Sequence, residues 1–268
     1  MEQARPENVP APEHDAASEG MGDNAAATLR TGARVAKRSW KGLLGLFLAL
    51  LLPLSVFGAL AEDVWKREGI GWDEPVLRSV HGLSNPRLDQ AVVLLTRIGY
   101  LWGTVPAAVL LVVWLVYRRR RRDAVFAALA VGGAATLMTI LKSQFQRVRP
   151  ALWVSVAPET SYSFPSGHAT LNSALATTIV LLLWRTRWRW HAVVLGVAWV
   201  VTICLTRVYL GVHFPSDVTA GAAGAFAWVF GLRQILPREP QLLAKDRASQ
   251  RVGRVNRVPS SVNSVDSV

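Results

Sequence analysis

The sequence predicts an all-α, polytopic membrane protein with six transmembrane helices. The 268 residues are 51% hydrophobic and only 18% charged, with a mean hydropathy of +0.26, which is too apolar for an ordinary soluble domain. Six separate stretches meet or approach the about 20 apolar residues that a helix needs to cross a bilayer. The basic residues cluster between these stretches, where the positive-inside rule places them.

The chain divides into two tails and a six-span core. Residues 1–38 are rich in Ala, Glu, Asp, Pro and Gly without apolar periodicity, so we predict a disordered cytoplasmic tail. The core covers 39–236, and residues 237–268 are predicted to form a basic, disordered cytoplasmic tail. The predicted spans are residues 42–61, 99–117, 124–141, 168–184, 191–207 and 215–236.

Residues 62–98 separate the first two spans and carry Trp65 and Trp72 among mixed charges. We predict an interfacial helix or loop with its tryptophans at headgroup depth, and a helical stretch that begins at Leu88. An ordinary extramembrane loop is the alternative. Residues 59–61 resemble a signal-peptidase site, but the long charged segment before them favours retention of the first span.

The positions of Lys and Arg predict the orientation of the chain. Basic groups precede the first span, separate the second from the third and the fourth from the fifth, and follow the sixth. These groups fall on one side if six spans alternate, so both termini are predicted to be cytoplasmic. The loops 62–98, 142–167 and 208–214 then face the outer side, periplasmic or extracellular. Nucleic-acid binding is disfavoured despite the net charge of +12, because the basic residues form no single face.

The cysteine content excludes two kinds of site. A single cysteine, Cys204, lies within an apolar stretch, so the chain can form neither an intramolecular disulfide nor a cysteine-rich metal centre. Carboxylates and histidines are not clustered in a metal-ligand pattern either. We therefore expect no metal and no cofactor.

Three stretches at the outward ends of the spans carry the residues of one predicted anion site. They are Lys142 with Arg149-Pro150, Pro165-Ser166-Gly167-His168, and Thr206-Arg207 with His213 and Asp217. The three cations match the need of phosphoryl transfer for neutralised oxygens. Snorkelling of a basic side chain to the headgroups is the alternative for each cation taken alone.

The segment Ser166-Gly167-His168 begins the fourth predicted span. Free backbone N–H groups at a helix N-terminus suit an anionic oxygen. Gly167 allows close approach of the backbone to a ligand, and Ser166 adds a hydroxyl donor. A simple N-cap role for Ser166 is the alternative.

His213 and His168 are the histidines predicted at the outward helix ends. A neutral imidazole can attack phosphorus, and a protonated one can donate to the leaving oxygen. Asp217 lies one helical turn after His213, so its carboxylate can hold one ring nitrogen and orient the other. An acid favoured by the helix dipole is the alternative for Asp217, and it is compatible with the first role.

Together these motifs resemble the three-part signature of the type 2 phosphatidic acid phosphatase superfamily, over roughly residues 88–236. Thr206 departs from the signature, in which serine usually opens the third motif. The resemblance implies a helical, metal-independent membrane lipid phosphatase that works through a phosphohistidine. It implies His213 as nucleophile, Asp217 as its orienting residue and His168 as the acid. The phosphate-binding residues that it implies are Lys142, Arg149, Ser166, Gly167 and Arg207.

The resemblance implies a lipid phosphate as the binding partner, within the bilayer. Phosphatidic acid, phosphatidylglycerophosphate and undecaprenyl diphosphate are the substrates expected within the family. Soluble haloperoxidases share the signature, but six apolar spans argue against that branch. Two alternatives stay open: a lipid phosphotransferase that passes the phosphoryl group to another acceptor, and a non-catalytic headgroup-binding protein.

Overall fold

A computed structural model describes Leu44, Gly45 and residues 47–236. Every regular element in this part of the chain is a helix, so the predicted all-α class is confirmed there. The predicted tails at residues 1–38 and 237–268 lie outside the described residues. Backbone contacts divide the chain between Leu52 and Pro53, and the residues of the candidate site all belong to the unit that begins at Pro53.

The described residues contain eight α-helices, with one π-helical turn between the third and the fourth. They are α1 (Phe47–Trp65), α2 (Asp73–His81), α3 (Pro86–Arg97), the π-helical turn (Ile98–Trp102), α4 (Thr104–Tyr117), α5 (Arg121–Phe145), α6 (Gly167–Leu183), α7 (Arg189–Tyr209) and α8 (Pro215–Ile235).

Four helical segments of the described chain are long and apolar enough to cross a membrane. They are Phe47–Trp65, Pro86–Tyr117, Arg121–Phe145 and Arg189–Tyr209. These four segments correspond to the first, second, third and fifth predicted spans. The fourth and sixth predicted spans correspond to α6 and α8, which are not among the four. A count of six spans stays a prediction.

The difference has two physical reasons, which are the length of α6 and the packing of α8 within the bundle. Helix α6 packs against α5, α7 and α8, and most of its first half is buried. Helix α6 is apolar but only 17 residues long, which is short for a span. Helix α8 has 21 residues, but helices that pack closely need small residues at their contacts, and these lower the mean hydropathy of α8. Gly221 in α8 shows how close the contact is, because a Cβ there would lie 2.8 Å from the carbonyl oxygen of Ser166.

The outer faces of the bundle are apolar. Val109, Leu110 and Val113 in α4 and Val194 and Leu195 in α7 each leave more than half of their surface exposed. In water such faces would be unfavourable, whereas a lipid bilayer covers them without cost. The chain is therefore a multi-pass membrane protein.

The segment between α1 and α3 contains one short helix, α2, whose first turn carries Asp73 and Glu74. Helix α3 begins two residues before the predicted start at Leu88. Asn85 is its N-cap and accepts a hydrogen bond from the Leu88 N–H at 3.0 Å, and Pro86 occupies the first turn. The predicted interfacial position of this segment stays a prediction.

Helix α5 runs from the arginine-rich end of the bundle to the end that holds the candidate site. Near its start, Asp123 pairs with Arg120 at 2.7 Å and with Arg233 of α8 at 3.7 Å. Lys142 lies in its last turn, 19 residues on, which at about 1.5 Å per residue is roughly 28 Å away.

Candidate active site

The turn between α7 and α8 brings His213 to the site. Gly211 has φ +64°, and a Cβ there would lie 2.6 Å from Trp153, so this sharp turn requires glycine. Pro215 then starts α8 with a fixed φ. Asp217 accepts a hydrogen bond from the Phe214 N–H at 2.9 Å, which fixes its carboxylate at the first turn of α8.

His213 and Asp217 face one another inside the protein. His213 Nδ1 lies 3.5 Å from Asp217 Oδ2, and both side chains are almost fully buried. The Ser163 hydroxyl donates to the same carboxylate oxygen at 2.5 Å and lies 3.3 Å from His213 Nδ1. Burial lowers the pKa of His213 to about 4, although Asp217 acts in the opposite direction. The imidazole is therefore neutral at pH 7.

The second ring nitrogen of His213 faces Arg149. Arg149 Nη1 lies 3.1 Å from His213 Nε2 and 2.5 Å from the carbonyl oxygen of Val212. A guanidinium group can only donate, so Nε2 carries the lone pair and Nδ1 carries the proton. Nε2, whose lone pair a nucleophilic role would require, is thus the ring nitrogen that faces Arg149.

Glu159 bridges two of the three predicted cations. Its Oε2 accepts a hydrogen bond from Arg149 Nη2 at 2.7 Å, and its Oε1 pairs with Arg207. Arg207 Nη1 also donates to Thr96 at 2.6 Å. Burial acts to raise the pKa of Glu159, but Arg207 and Arg149 outweigh it and lower the pKa to about 2. An ionised carboxylate therefore lies between the two arginines.

Lys142 reaches the site from the last turn of α5, where its ammonium group donates to the carbonyl oxygen of Tyr162. Arg149 Nη2 approaches the same oxygen at 3.4 Å. The two cations of the first motif, seven residues apart in the sequence, therefore converge on one carbonyl group.

His168 lies beside a cavity of about 520 Å³. Its ring stacks on that of Tyr100 in the π-helical turn, with 4.8 Å between centroids. The same cavity is also lined by Glu159 and Arg207, and by Arg97 and Trp102. His168 thus shares a cavity with one of the three predicted cations, Arg207, and with residues of α3 and the π-helical turn.

Comparison with known proteins assigns the family. A family model described as the PAP2 superfamily matches residues 123–240. An undecaprenyl-diphosphatase of Sulfolobus acidocaldarius is 31% identical over 196 residues, which cover 70% of this chain and 84% of that protein. The chain belongs to the PAP2 superfamily.

Two further similarities agree with this PAP2 assignment. Phosphatidylglycerophosphatase B of Bacillus subtilis is 27% identical over 155 residues, covering 56% of this chain and 75% of that protein. A crystal structure of a transmembrane PAP2-type phosphatidylglycerolphosphate phosphatase from Bacillus subtilis has the same fold, with a TM-score of 0.62 and 24% identity. The match covers 70% of this chain and 98% of that one.

In the Pro165-Ser166-Gly167-His168 segment of this PAP2 chain, the Ser166 side chain does not act as a simple helix cap. Ser166 is the N-cap of α6, but its side chain forms no cap hydrogen bond, and its buried hydroxyl has no hydrogen-bond partner within the described residues. A Cβ at Gly167 would lie 3.2 Å from Met138, so this glycine also permits α6 to pack against α5. The Thr206 hydroxyl donates to the Ile203 carbonyl within α7 rather than to a site residue.

Several site residues were missed by motif reasoning. Ser163, Glu159 and Arg147 all lie in the loop that joins α5 to α6, and Asp73 lies in α2. Glu159 is the single acid between Lys142 and His168 in the sequence, which was a usable signal. Nothing in the local sequence distinguishes Arg147 or Asp73, since their contacts depend on the fold.

Proposed function

We propose that this PAP2 protein is an integral membrane lipid phosphatase that hydrolyses a lipid phosphate monoester or diphosphate through a phosphohistidine intermediate. The observation that carries the proposal is that His213 Nε2 lies 3.1 Å from Arg149, which shares the Glu159 carboxylate with Arg207. The proposed nucleophile is thus adjacent to the proposed anion site. The apolar helices and the phosphatases among its relatives support a lipid substrate.

In the proposed reaction, the substrate phosphate takes the place of the Glu159 carboxylate between Arg149 and Arg207. Lys142 and the Ser166-Gly167 segment supply further donors to its oxygens. His213 Nε2 attacks phosphorus, and the bond from phosphorus to the leaving oxygen breaks. His168, protonated, gives its proton to that oxygen.

A water molecule then completes the cycle. His168, now neutral, takes a proton from the water, whose oxygen attacks the phosphorus of the phosphohistidine. The products are the dephosphorylated lipid and inorganic phosphate, and His213 is neutral again. Asp217 holds Nδ1–H throughout and stabilises the positive charge that develops on the ring.

Phosphate release from purified protein tests the proposal. A panel of phosphatidic acid, phosphatidylglycerophosphate and undecaprenyl diphosphate is supplied one lipid at a time, without an acceptor, and ranked by kcat/KM. We expect free phosphate from at least one lipid. A protein that acts only as a phosphotransferase would release none until an acceptor is added.

Substitution of the nucleophile separates an enzyme from a headgroup-binding protein. His213→Ala should reduce turnover by roughly four orders of magnitude or more, and Asp217→Asn by less, because the nucleophile remains. His191→Ala, at the start of α7 where the ring contacts Trp188, is the matched control and should retain activity. Equal turnover in His213→Ala and wild type would contradict the mechanism.

Metal independence is a separate part of the proposal. We expect full activity in excess EDTA and inhibition by vanadate, which mimics a pentacoordinate phosphorus. The three cations and two histidines account for charge neutralisation without a metal. Loss of activity on chelation that Mg²⁺ restores would contradict this part.

A further inference from the structure

A buried cluster of two acids and one arginine lies behind His213, and two of its members, Asp73 and Arg147, have no role in the proposed chemistry. Arg147 Nη1 donates to Asp217 Oδ1 at 2.6 Å, and Arg147 Nη2 donates to Asp73 Oδ2 at 2.9 Å. The Arg147 side chain is 14% exposed, that of Asp73 3% and that of Asp217 0%. Water therefore screens these charges poorly, and each depends on its partners.

Asp73 also fixes the start of α8. Its Oδ1 accepts a hydrogen bond from the Ser216 N–H at 2.9 Å, and its Oδ2 accepts one from the Ser216 hydroxyl at 2.6 Å. Arg147 Nη1 lies 2.7 Å from the same hydroxyl, and the guanidinium carbon lies 4.2 Å from the centre of the Phe214 ring. The guanidinium plane of Arg147 is thus held from several sides by α2 and by the first turn of α8.

The consequence concerns the two oxygens of Asp217, which have different partners. Oδ1 receives Arg147, whereas Oδ2 receives Phe214 N–H and the Ser163 hydroxyl and faces His213 Nδ1. Rotation of the carboxylate would break bonds at both oxygens together. The ion pair with Arg147 therefore helps to fix the plane of the carboxylate relative to the imidazole.

We propose that Arg147, held by Asp73, is a positioning residue that orients Asp217 towards His213 and so links helix α2 to the nucleophile. This inference rests on the proposed function. It gives a role to helix α2, which none of the three motifs includes. Asp73 lies 74 residues before Arg147 in the chain. Neither Arg147 nor Asp73 contacts the cations that would hold the substrate phosphate, so its binding should depend little on them.

The test uses two conservative variants of the full-length protein and two matched controls. Arg147→Lys keeps the charge but cannot span Asp73 and Asp217 with a planar fork, and Asp73→Asn keeps the shape but removes the charge. Arg120→Lys changes an exposed arginine at the opposite end of α5, and Glu74→Gln changes the neighbouring exposed acid of α2. The measurements are kcat and KM for a lipid phosphate, affinities for vanadate and for inorganic phosphate, and the thermal unfolding midpoint.

We expect kcat to fall about 10- to 100-fold in Arg147→Lys and in Asp73→Asn, because a small misplacement of an orienting group has that effect. KM and the affinity for inorganic phosphate should stay within about twofold, whereas vanadate, which engages Nε2 of His213, should bind about 10-fold more weakly. The double variant should lose little more than Arg147→Lys alone, because Asp73 acts through Arg147. Both controls should match the wild type.

Unchanged kcat and unchanged vanadate affinity in both variants would overturn the inference. So would a loss of activity that disappears when turnover is expressed per folded molecule, since that indicates a structural ion pair only. A wild-type protein that binds vanadate but hydrolyses no lipid phosphate would contradict the proposed function. In that case the vanadate affinities of the two variants would still decide the role of Arg147. A wild type that neither binds vanadate nor releases phosphate would overturn both.

Discussion

Glu159 is the residue whose contacts bear most directly on anion binding at the site. Its carboxylate bridges Arg149 and Arg207, which are the same cations that the signature assigns to phosphate. Two anions cannot share this position without strong repulsion, so substrate binding in the proposed mechanism requires Glu159 to move away. The residue belongs to the loop between α5 and α6, which lacks regular secondary structure over most of its length.

Glu159→Gln should strengthen anion binding, because the amide does not compete with the ligand for the guanidinium groups. We expect the affinity for vanadate to rise roughly tenfold, which corresponds to about 1.4 kcal/mol. Glu68→Gln, in the segment between α1 and α2, serves as control. Titration of purified protein with vanadate makes the measurement, and weaker binding by Glu159→Gln would show that the carboxylate holds the arginines in place rather than competing with the ligand.

At the scale of the elements, the N-terminus of α6 carries a serine whose hydroxyl is buried without a partner in the described structure. A buried hydroxyl left unpaired is unfavourable, which is consistent with a group that bonds to a ligand. The position of this N-terminus depends in turn on α8, because Gly221 lies directly against the Ser166 carbonyl.

Ser166→Ala distinguishes a ligand donor from a helix cap. We expect turnover to fall about 10- to 100-fold, as for loss of a hydrogen bond to a charged group, while the unfolding midpoint stays unchanged. Ser79→Ala, on the exposed side of α2, is the control. If Ser166 were a cap, the variant would instead lose about 1 kcal/mol of stability, and phosphate release per folded molecule would be unaffected.

Gly221→Ala tests the contact between α6 and α8. The new methyl would lie 2.8 Å from the Ser166 carbonyl oxygen and 2.9 Å from the Thr170 hydroxyl, so the helices must separate, at a cost of about 1–3 kcal/mol. We expect a lower unfolding midpoint and reduced phosphate release, although Gly221 touches no site cation. Gly132→Ala in α5, where a Cβ has no neighbour within 4 Å, should change neither. Equal behaviour of the two variants would show that the contact does not constrain the site.

For the whole molecule, the sequence was most informative where function depends on local motifs. Side-chain nitrogens of Arg149 and His213, 64 residues apart in the sequence, lie 3.1 Å from one another, so the first and third motifs meet in the fold. The roles that the three-part pattern predicts for these residues stay predictions. Arg147 and Asp73 could not be predicted because their pairing depends on how α2 packs on the ends of other helices. Hydropathy identified the lipid-facing helices but is a weaker guide to α8, whose small residues serve contacts inside the bundle, while α6 is apolar but short.

The predicted orientation of the whole chain can be tested with introduced cysteines. In a Cys204→Ala background, Val154→Cys marks the loop near the site and Tyr117→Cys marks the arginine-rich end. Both native side chains are more than 80% exposed. An impermeant maleimide should label the first variant in intact cells and the second only after permeabilisation. The reverse pattern would invert the predicted topology.

The bridging carboxylate also bears on how the enzyme should behave in ordinary buffers. Sulfate and chloride would have to compete with the Glu159 carboxylate, which already neutralises part of the charge of Arg149 and Arg207. Moderate salt should therefore inhibit only weakly, and a freshly released phosphate ion would be expelled as the tethered acid returns. Under the proposed mechanism, a single glutamate would thus reduce competition from other anions, while a lipid substrate would still bind because its anchor raises its local concentration.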